Sequence, residues 1–176
     1  TPQKLRALWA LDAIGATSSD WLLQQTRDRD EYIRSWAVRL LADLLTADGA
    51  HGVTHPAEAD WAGRARPTAA TVAKRFTELA RTDPSAFVRL YLASALQKLP
   101  LNSRREVALA LVRHAEDVND HNLGLMIWFG IEPLTGAQPL TGVELAIASQ
   151  HRIVRQFIAR RLAEDIETKP DGLDQL

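Results

Sequence analysis

The sequence predicts an all-α fold, a solenoid of about four stacked helical pairs. Two observations lead there. A short pattern occurs four times without gaps: Asp28-Arg-Asp-Glu-Tyr-Ile33-Arg34-Ser-Trp36, Asp83-Pro-Ser-Ala-Phe-Val88-Arg89-Leu-Tyr91, Asp120-His-Asn-Leu-Gly-Leu125-Met126-Ile-Trp128 and Ser149-Gln-His-Arg-Ile-Val154-Arg155-Gln-Phe157. Each copy has an aliphatic residue, usually an arginine next, and an aromatic two places later. No segment alternates apolar and polar residues convincingly, so no sheet is expected.

The elements follow in order. Leu5, Leu8, Trp9, Leu11 and Ile14 share one broad helical face, and Gly15 stops that helix. Ser18 or Ser19 caps a short second helix from Asp20 to about Thr26. The third helix shows Ile33, Trp36, Ala37, Leu40, Leu41 and Leu44, an uninterrupted core-facing stripe, and Asp48-Gly49 ends it. Residues 48–66 read as an irregular insertion. Pro67 then opens a helix to about Arg81, with Val72, Phe76 and Leu79 inward.

Asp83 is expected to cap the next helix, with Pro84 as its first residue and Val88, Tyr91, Leu92, Ala95, Leu96 and Leu99 as its stripe. Pro100 is a stop. A helix starting at Asn102 or Ser103 carries Val107, Leu111 and Val112. Asp120 caps one with Leu125, Trp128 and Phe129, expected to end near Glu132-Pro133. A loop from Thr135 to Leu140 leads to a helix from Thr141 to about Ala148. The last helix carries Val154, Phe157, Ile158 and Leu162. Residues 1–167 thus form one helical-repeat domain, and residues 168–176 a polar tail.

Composition narrows the chemistry. A chain of 176 residues that is 46% hydrophobic can bury a sizeable core in one domain. A net charge of −1 argues against a dedicated nucleic-acid binder, which needs clustered cationic excess. The absence of cysteine rules out disulfides, thiolate catalysis, thiolate metal sites and covalent haem attachment in this stretch. No apolar run approaches the roughly 18 residues of a membrane span. The opening Thr1-Pro-Gln-Lys-Leu-Arg6 has no signal-peptide pattern and reads as a cut inside a longer protein.

The motif starts are 55, 37 and 29 residues apart. Setting the insertion aside, these intervals surround the roughly 40-residue period of two-helix HEAT units. In HEAT proteins, aspartates and arginines at such positions form a ladder between repeats. The expected ladder here is Asp28, Asp83 and Asp120 with Arg34, Arg89 and Arg155. It should break where Met126 replaces arginine and Ser149 replaces aspartate. The aromatics Trp36, Tyr91, Trp128 and Phe157 are expected in the repeat core.

A narrower resemblance rests on several strings in order: Leu5-Arg-Ala-Leu-Trp9, Ile33-Arg-Ser-Trp-Ala-Val-Arg-Leu-Leu41, Val88-Arg-Leu-Tyr-Leu-Ala-Ser-Ala-Leu96, Asp117-Val-Asn-Asp120 with Met126-Ile-Trp-Phe-Gly-Ile-Glu-Pro133, and Phe157-Ile-Ala-Arg-Arg-Leu162. Together they resemble the HEAT region of large planctomycete-type membrane-bound dehydrogenase or haem-binding domain proteins. In that family a β-propeller precedes the helices and a c-type cytochrome domain follows. The resemblance implies a connecting scaffold within a secreted or periplasmic bacterial protein. It assigns no cofactor to this chain, which has neither Cys-x-x-Cys-His nor propeller strands.

Several residues combine a possible binding role with an ordinary structural one. His51 and His55 with Glu58 and Asp60 are available metal ligands, but loop composition around them favours an exposed loop. Glu116-Asp117-Val-Asn-Asp120 lacks the glycine and the final glutamate of a calcium loop. Trp61, beside Arg64 and Arg66, is a candidate partner contact, since Trp and Arg dominate hot spots. Arg152, Arg155, Arg160 and Arg161 make the last helix basic, which keeps open a DNA-binding or DNA-repair HEAT-like protein as the alternative. The leading expectation is a non-enzymatic scaffold with no cofactor, no metal and no small-molecule substrate, whose partners are proteins or neighbouring domains.

Overall fold

A computed structural model describes residues 2–45 and 67–164 of the chain. The insertion at 48–66, with Trp61, Arg64, Arg66, His51 and His55, and the tail at 168–176 lie outside the described residues. Among the described residues the structure is all-helical, with no strand. The helices are α1 (Pro2–Ala13), α2 (Ser19–Gln25), α3 (Glu31–Asp43), α4 (Ala69–Thr82), α5 (Ala86–Ala95), α6 (Leu101–Leu111), α7 (His121–Ala137), α8 (Pro139–Ala148) and α9 (Arg152–Glu164). Short 3₁₀ turns cover Leu96–Lys98 and Ala115–Asp117.

Local chemistry sets the boundaries. Gly15, at φ 74°, supplies the left-handed turn after α1. Ser18, Asp30, Thr68, Ser85 and Asp120 each accept a backbone N–H of the helix they precede. The cap of α5 is therefore Ser85, not Asp83, and Pro84 stands ahead of the helix. Asp83 instead accepts the Ser85 N–H at 3.0 Å in an Asx turn, and an arginine takes up the rest of its carboxylate. α6 starts at Leu101, directly after Pro100.

α7 passes through Pro133 rather than ending there. A proline inside a helix costs about 3 kcal/mol. Full burial of Ile131 and Leu134 on either side offsets that cost. Buried Arg104 adds a hydrogen bond from Nη1 to the Gly130 carbonyl at 2.8 Å. The expected loop at 135–140 shrinks to one residue, because Pro139 serves as the first residue of α8.

The helices pack in two rows. α3 packs on α5, α5 on α7, and α7 on α9. Behind them α4 packs on α6 and α6 on α8. The core lies between the rows, where Leu41, Phe76, Leu92, Leu111, Ile127 and Ile158 are fully buried. α1 is attached more loosely, with α3 as its main neighbour. Of its apolar face only Leu8 is buried, while Trp9, Leu11 and Ile14 are exposed.

Candidate functional site

The front row shares one register, fixed by four equivalent backbone hydrogen bonds. Arg34 N donates to the Asp30 carbonyl, Arg89 N to Ser85, Gly124 N to Asp120 and Arg155 N to His151. Three residues after each of those acceptors comes a buried aliphatic: Ile33, Val88, Leu123 and Val154. The next buried layer is Ala37, Leu92, Ile127 and Ile158, and the one after is Leu41, Leu96, Ile131 and Leu162.

This register corrects the third copy by two residues. Asp120 is the counterpart of Asp30 and Ser85, not of Asp28 and Asp83. Gly124, not Met126, stands at the arginine position. Met126, not Trp128, stands with Trp36, Tyr91 and Phe157. The stripe Leu123, Ile127, Ile131 and Leu134 carries the correct alignment in the sequence. The conspicuous Trp128 masks it.

The arginines join successive helices. Arg34 grips Asp83 with both arms, Nε to Oδ2 at 2.7 Å and Nη2 to Oδ1 at 2.8 Å. Arg89 grips Asp117 in the same way at 2.5 and 2.6 Å. The acceptor in the third copy is thus Asp117, on the 3₁₀ turn before α7. Asp120 is occupied in capping, taking the Leu123 N–H at 2.9 Å. The Asp28 carboxylate is not gripped by an arginine either. It takes the Asp30 N–H at 2.8 Å and Lys4 Nζ at 3.4 Å.

A second contact recurs. The remaining guanidinium nitrogen of each arginine returns to the carbonyl six residues back: Arg34 to Asp28 at 3.0 Å, Arg89 to Asp83 at 2.7 Å and Arg155 to Ser149 at 2.6 Å. Arg155 makes this contact from an exposed position. Paired hydrogen bonding to Asp83 and Asp117 raises the pKa of Arg34 and Arg89, against the opposing effect of burial. Both stay charged at every working pH.

A break in the row lies between α7 and α9. A Cβ at Gly124 would come within 2.6 Å of Ile153 Cγ2 and 4.0 Å of His151 Nδ1. The close approach of α9 leaves room only for glycine. His151 lies beside that contact, 1% exposed, with both ring nitrogens buried. Burial lowers its pKa, while the Asp117 charge works in the opposite direction.

The aromatics lie on the outer face of the front row and are half-buried, not in the core. Trp36, Tyr91, Trp128 and Phe157 all have one side to solvent. Trp36, Tyr91 and Phe157 each come one residue before a fully buried one (Ala37, Leu92 and Ile158), whereas Trp128 follows Ile127 and so lies on the other flank of its stripe. Ring pairs bridge neighbouring helices: Trp9 meets Trp36 edge-on at 4.9 Å, Tyr32 meets Phe87 at 5.2 Å, and Trp128 stacks on Phe157 at 5.3 Å. Arg39 lies over the Trp36 ring at 4.9 Å.

Between α3, α5 and α7 this face opens into a groove of about 850 Å³. Tyr91, Met126 and Phe129 form its apolar wall, and Phe129 is 52% exposed. Arg39, Asp43 and Lys98 form its charged edge, with Asp43 3.9 Å from Arg39 and 4.0 Å from Lys98. Among the described residues no group of three or more His, Asp or Glu is placed to hold a metal ion. No helix there is long and apolar enough to cross a membrane.

Two of the basic residues of α9 are paired with acids. Arg160 pairs with Glu164 at 3.4 Å and Arg161 with Glu132 at 3.0 Å. Sequence reasoning missed Asp117, Arg104, Gly124 and His151. Asp117 was visible as an acidic residue but sits one place out of frame. Arg104 donates to the backbone carbonyls of Leu99, Gly130 and Gln97, contacts that leave no mark on the side-chain pattern. Compared with family profiles, curated proteins and solved structures, the chain matches none.

Proposed function

We propose that the chain is an α-solenoid of HEAT-like helical pairs, and that it works as a scaffold holding a protein partner on the outer face of α3, α5 and α7. The observation that carries this reading is the groove walled by Tyr91, Met126 and Phe129, mounted on helices locked by Arg34–Asp83 and Arg89–Asp117. A rigid row with an apolar face offers geometry for binding, and we assign it no reaction. The resemblance to the HEAT region of dehydrogenase-like haem proteins supports a place inside a larger bacterial redox protein, in the periplasm or outside the cell. The bound partner would then be another domain of that protein or a separate chain.

A photo-crosslinking residue placed at Ser94, in the groove, tests the interaction reading in the native host. Ile147, exposed on α8, is the control position. The scaffold reading predicts a discrete protein adduct at Ser94 and none at Ile147. Adducts at neither position would contradict it. Steeply salt-dependent DNA binding by the isolated chain would favour the nucleic-acid alternative instead.

A further inference from the structure

We propose that the outer face of α9 takes a helix of a partner protein, gripped by Arg155 through an aspartate on the turn that leads into that helix. This face lies at the end of the front row, apart from the groove across α3, α5 and α7.

Three observations point there. The first is the arginine itself. In Arg34 and Arg89, Nη1 is anchored on the carbonyl six residues back, while Nε and Nη2 hold the two oxygens of an aspartate. Arg155 has the same anchor, Nη1 to the Ser149 carbonyl at 2.6 Å. Among the described residues that is its one hydrogen bond. Nε and Nη2 are therefore the arms left for a carboxylate, and a guanidinium fork holds a carboxylate with paired, charge-assisted bonds.

The second is the surface beside it. Positions four and eight after the arginine position share its side of the helix. On α7 they are Trp128, stacked on Phe157, and Glu132, paired with Arg161, so this side faces the next helix. On α3 they are Val38 and Ala42, and on α5 Ala93 and Gln97, all buried or half-buried. On α9 they are Ala159 and Ala163, both exposed. Two small apolar residues beside an anchored arginine let a helix close on α9.

The third is charge. Arg152, one turn before Arg155, is exposed on the same side. The face is cationic and suits an acidic turn. The two charged joints define that turn: Asp83 stands two residues before the cap Ser85, and Asp117 three before the cap Asp120. The same charge turns away a second copy. Its α9 would set Arg152 and Arg155 against their like, and its α1 offers Lys4, already 3.4 Å from Asp28.

Fluorescence anisotropy on the whole chain tests this with a labelled peptide copying residues 83–99, the aspartate-led helix that the row already seats on α3. A side-chain bridge between positions 90 and 94, both on the groove side of α5, holds the peptide helical. The expected result is saturable binding, weakened at least about tenfold by Arg155→Ala in the chain or by Asp83→Asn in the peptide. Arg155→Asp with an Asp83→Arg peptide recovers the binding that either change alone removes. Phe129→Ala, in the groove, leaves it unchanged. Circular dichroism of each variant shows an unchanged helix content. No binding at about millimolar peptide, or indifference to Arg155→Ala or to Asp83→Asn, would overturn the proposal. Dimerisation of the chain alone that Arg155→Ala abolishes would overturn it as well, because the occupant would then be a second copy. An adduct at Ser94 is independent of all these results, so the groove reading and this one fail separately.

Discussion

The joint between α5 and α7 and the joint between α7 and α9 solve the same packing problem with opposite chemistry. At the first, Arg89 and Asp117 are 2% and 3% exposed and meet in a two-pronged ion pair, with Glu116 3.5 Å away. At the second, the arginine position holds Gly124, the facing turn offers Ser149, and the helices close directly on Ile153. A buried guanidinium needs a matched acceptor for each arm. Where the acceptor is lost, the donor is lost as well, and close contact of α7 with α9 takes its place. The comparison shows that the row is held by shared register, and that the ion pairs are one of two ways to fill it.

The largest effect should come from breaking the charged joint. Arg89→Met leaves Asp117 buried without its partner and should cost about 3–5 kcal/mol in denaturant melts. A loss below about 1 kcal/mol would mean that the pair is spectator to apolar packing. At the glycine joint, Gly124→Ala drives a methyl into Ile153 and should cost about 1–3 kcal/mol. Hydrogen exchange should place the loosening in α8 and α9 while α3 and α5 keep their protection. Uniform loss of protection would merge the two joints into one cooperative core.

The two joints also differ in response to acid. The pKa of His151 is lowered in the folded chain, so the unfolded chain binds the proton more readily. Its contribution to stability is complete above the unfolded value near 6.5 and is lost as pH falls from there through the lower folded value. His151→Leu should flatten that part of the stability profile, as measured by melts at several pH values. An unchanged slope would remove His151 from the account. The smallest effect belongs to Arg155→Ala, which gives up one hydrogen bond from an exposed side chain to the Ser149 carbonyl and should cost no more than about 1 kcal/mol.

What the sequence made legible followed from periodicity. Stripes such as Ile33, Ala37, Leu41 and Val88, Leu92, Leu96 announce helices, because burial repeats with the turn. Arginines six residues after the motif start are visible for the same reason. What stayed hidden depended on neighbours far along the chain. Asp117 serves Arg89 from a 3₁₀ turn whose length shifts it out of frame. Arg104 answers to carbonyls, which leave no trace in the side-chain pattern. The half-exposure of Trp36 and Tyr91 follows from where the rows stop covering the face, and α1 lost most of its expected burial for the same reason. Trp128 misled because an aromatic outweighs a leucine to the eye, although Leu123 is the residue that packs.

The arginine of one front-row helix is held by the turn that leads into the next, Arg34 by Asp83 and Arg89 by Asp117. A pair of double-mutant cycles tests it most directly, Arg89→Met with Asp117→Asn and Arg89→Met with Asp120→Asn, read by denaturant unfolding. Coupling should exceed about 1.5 kcal/mol for Arg89 with Asp117 and stay within about 0.5 kcal/mol for Arg89 with Asp120. Strong coupling to Asp120 with none to Asp117 would contradict the register itself.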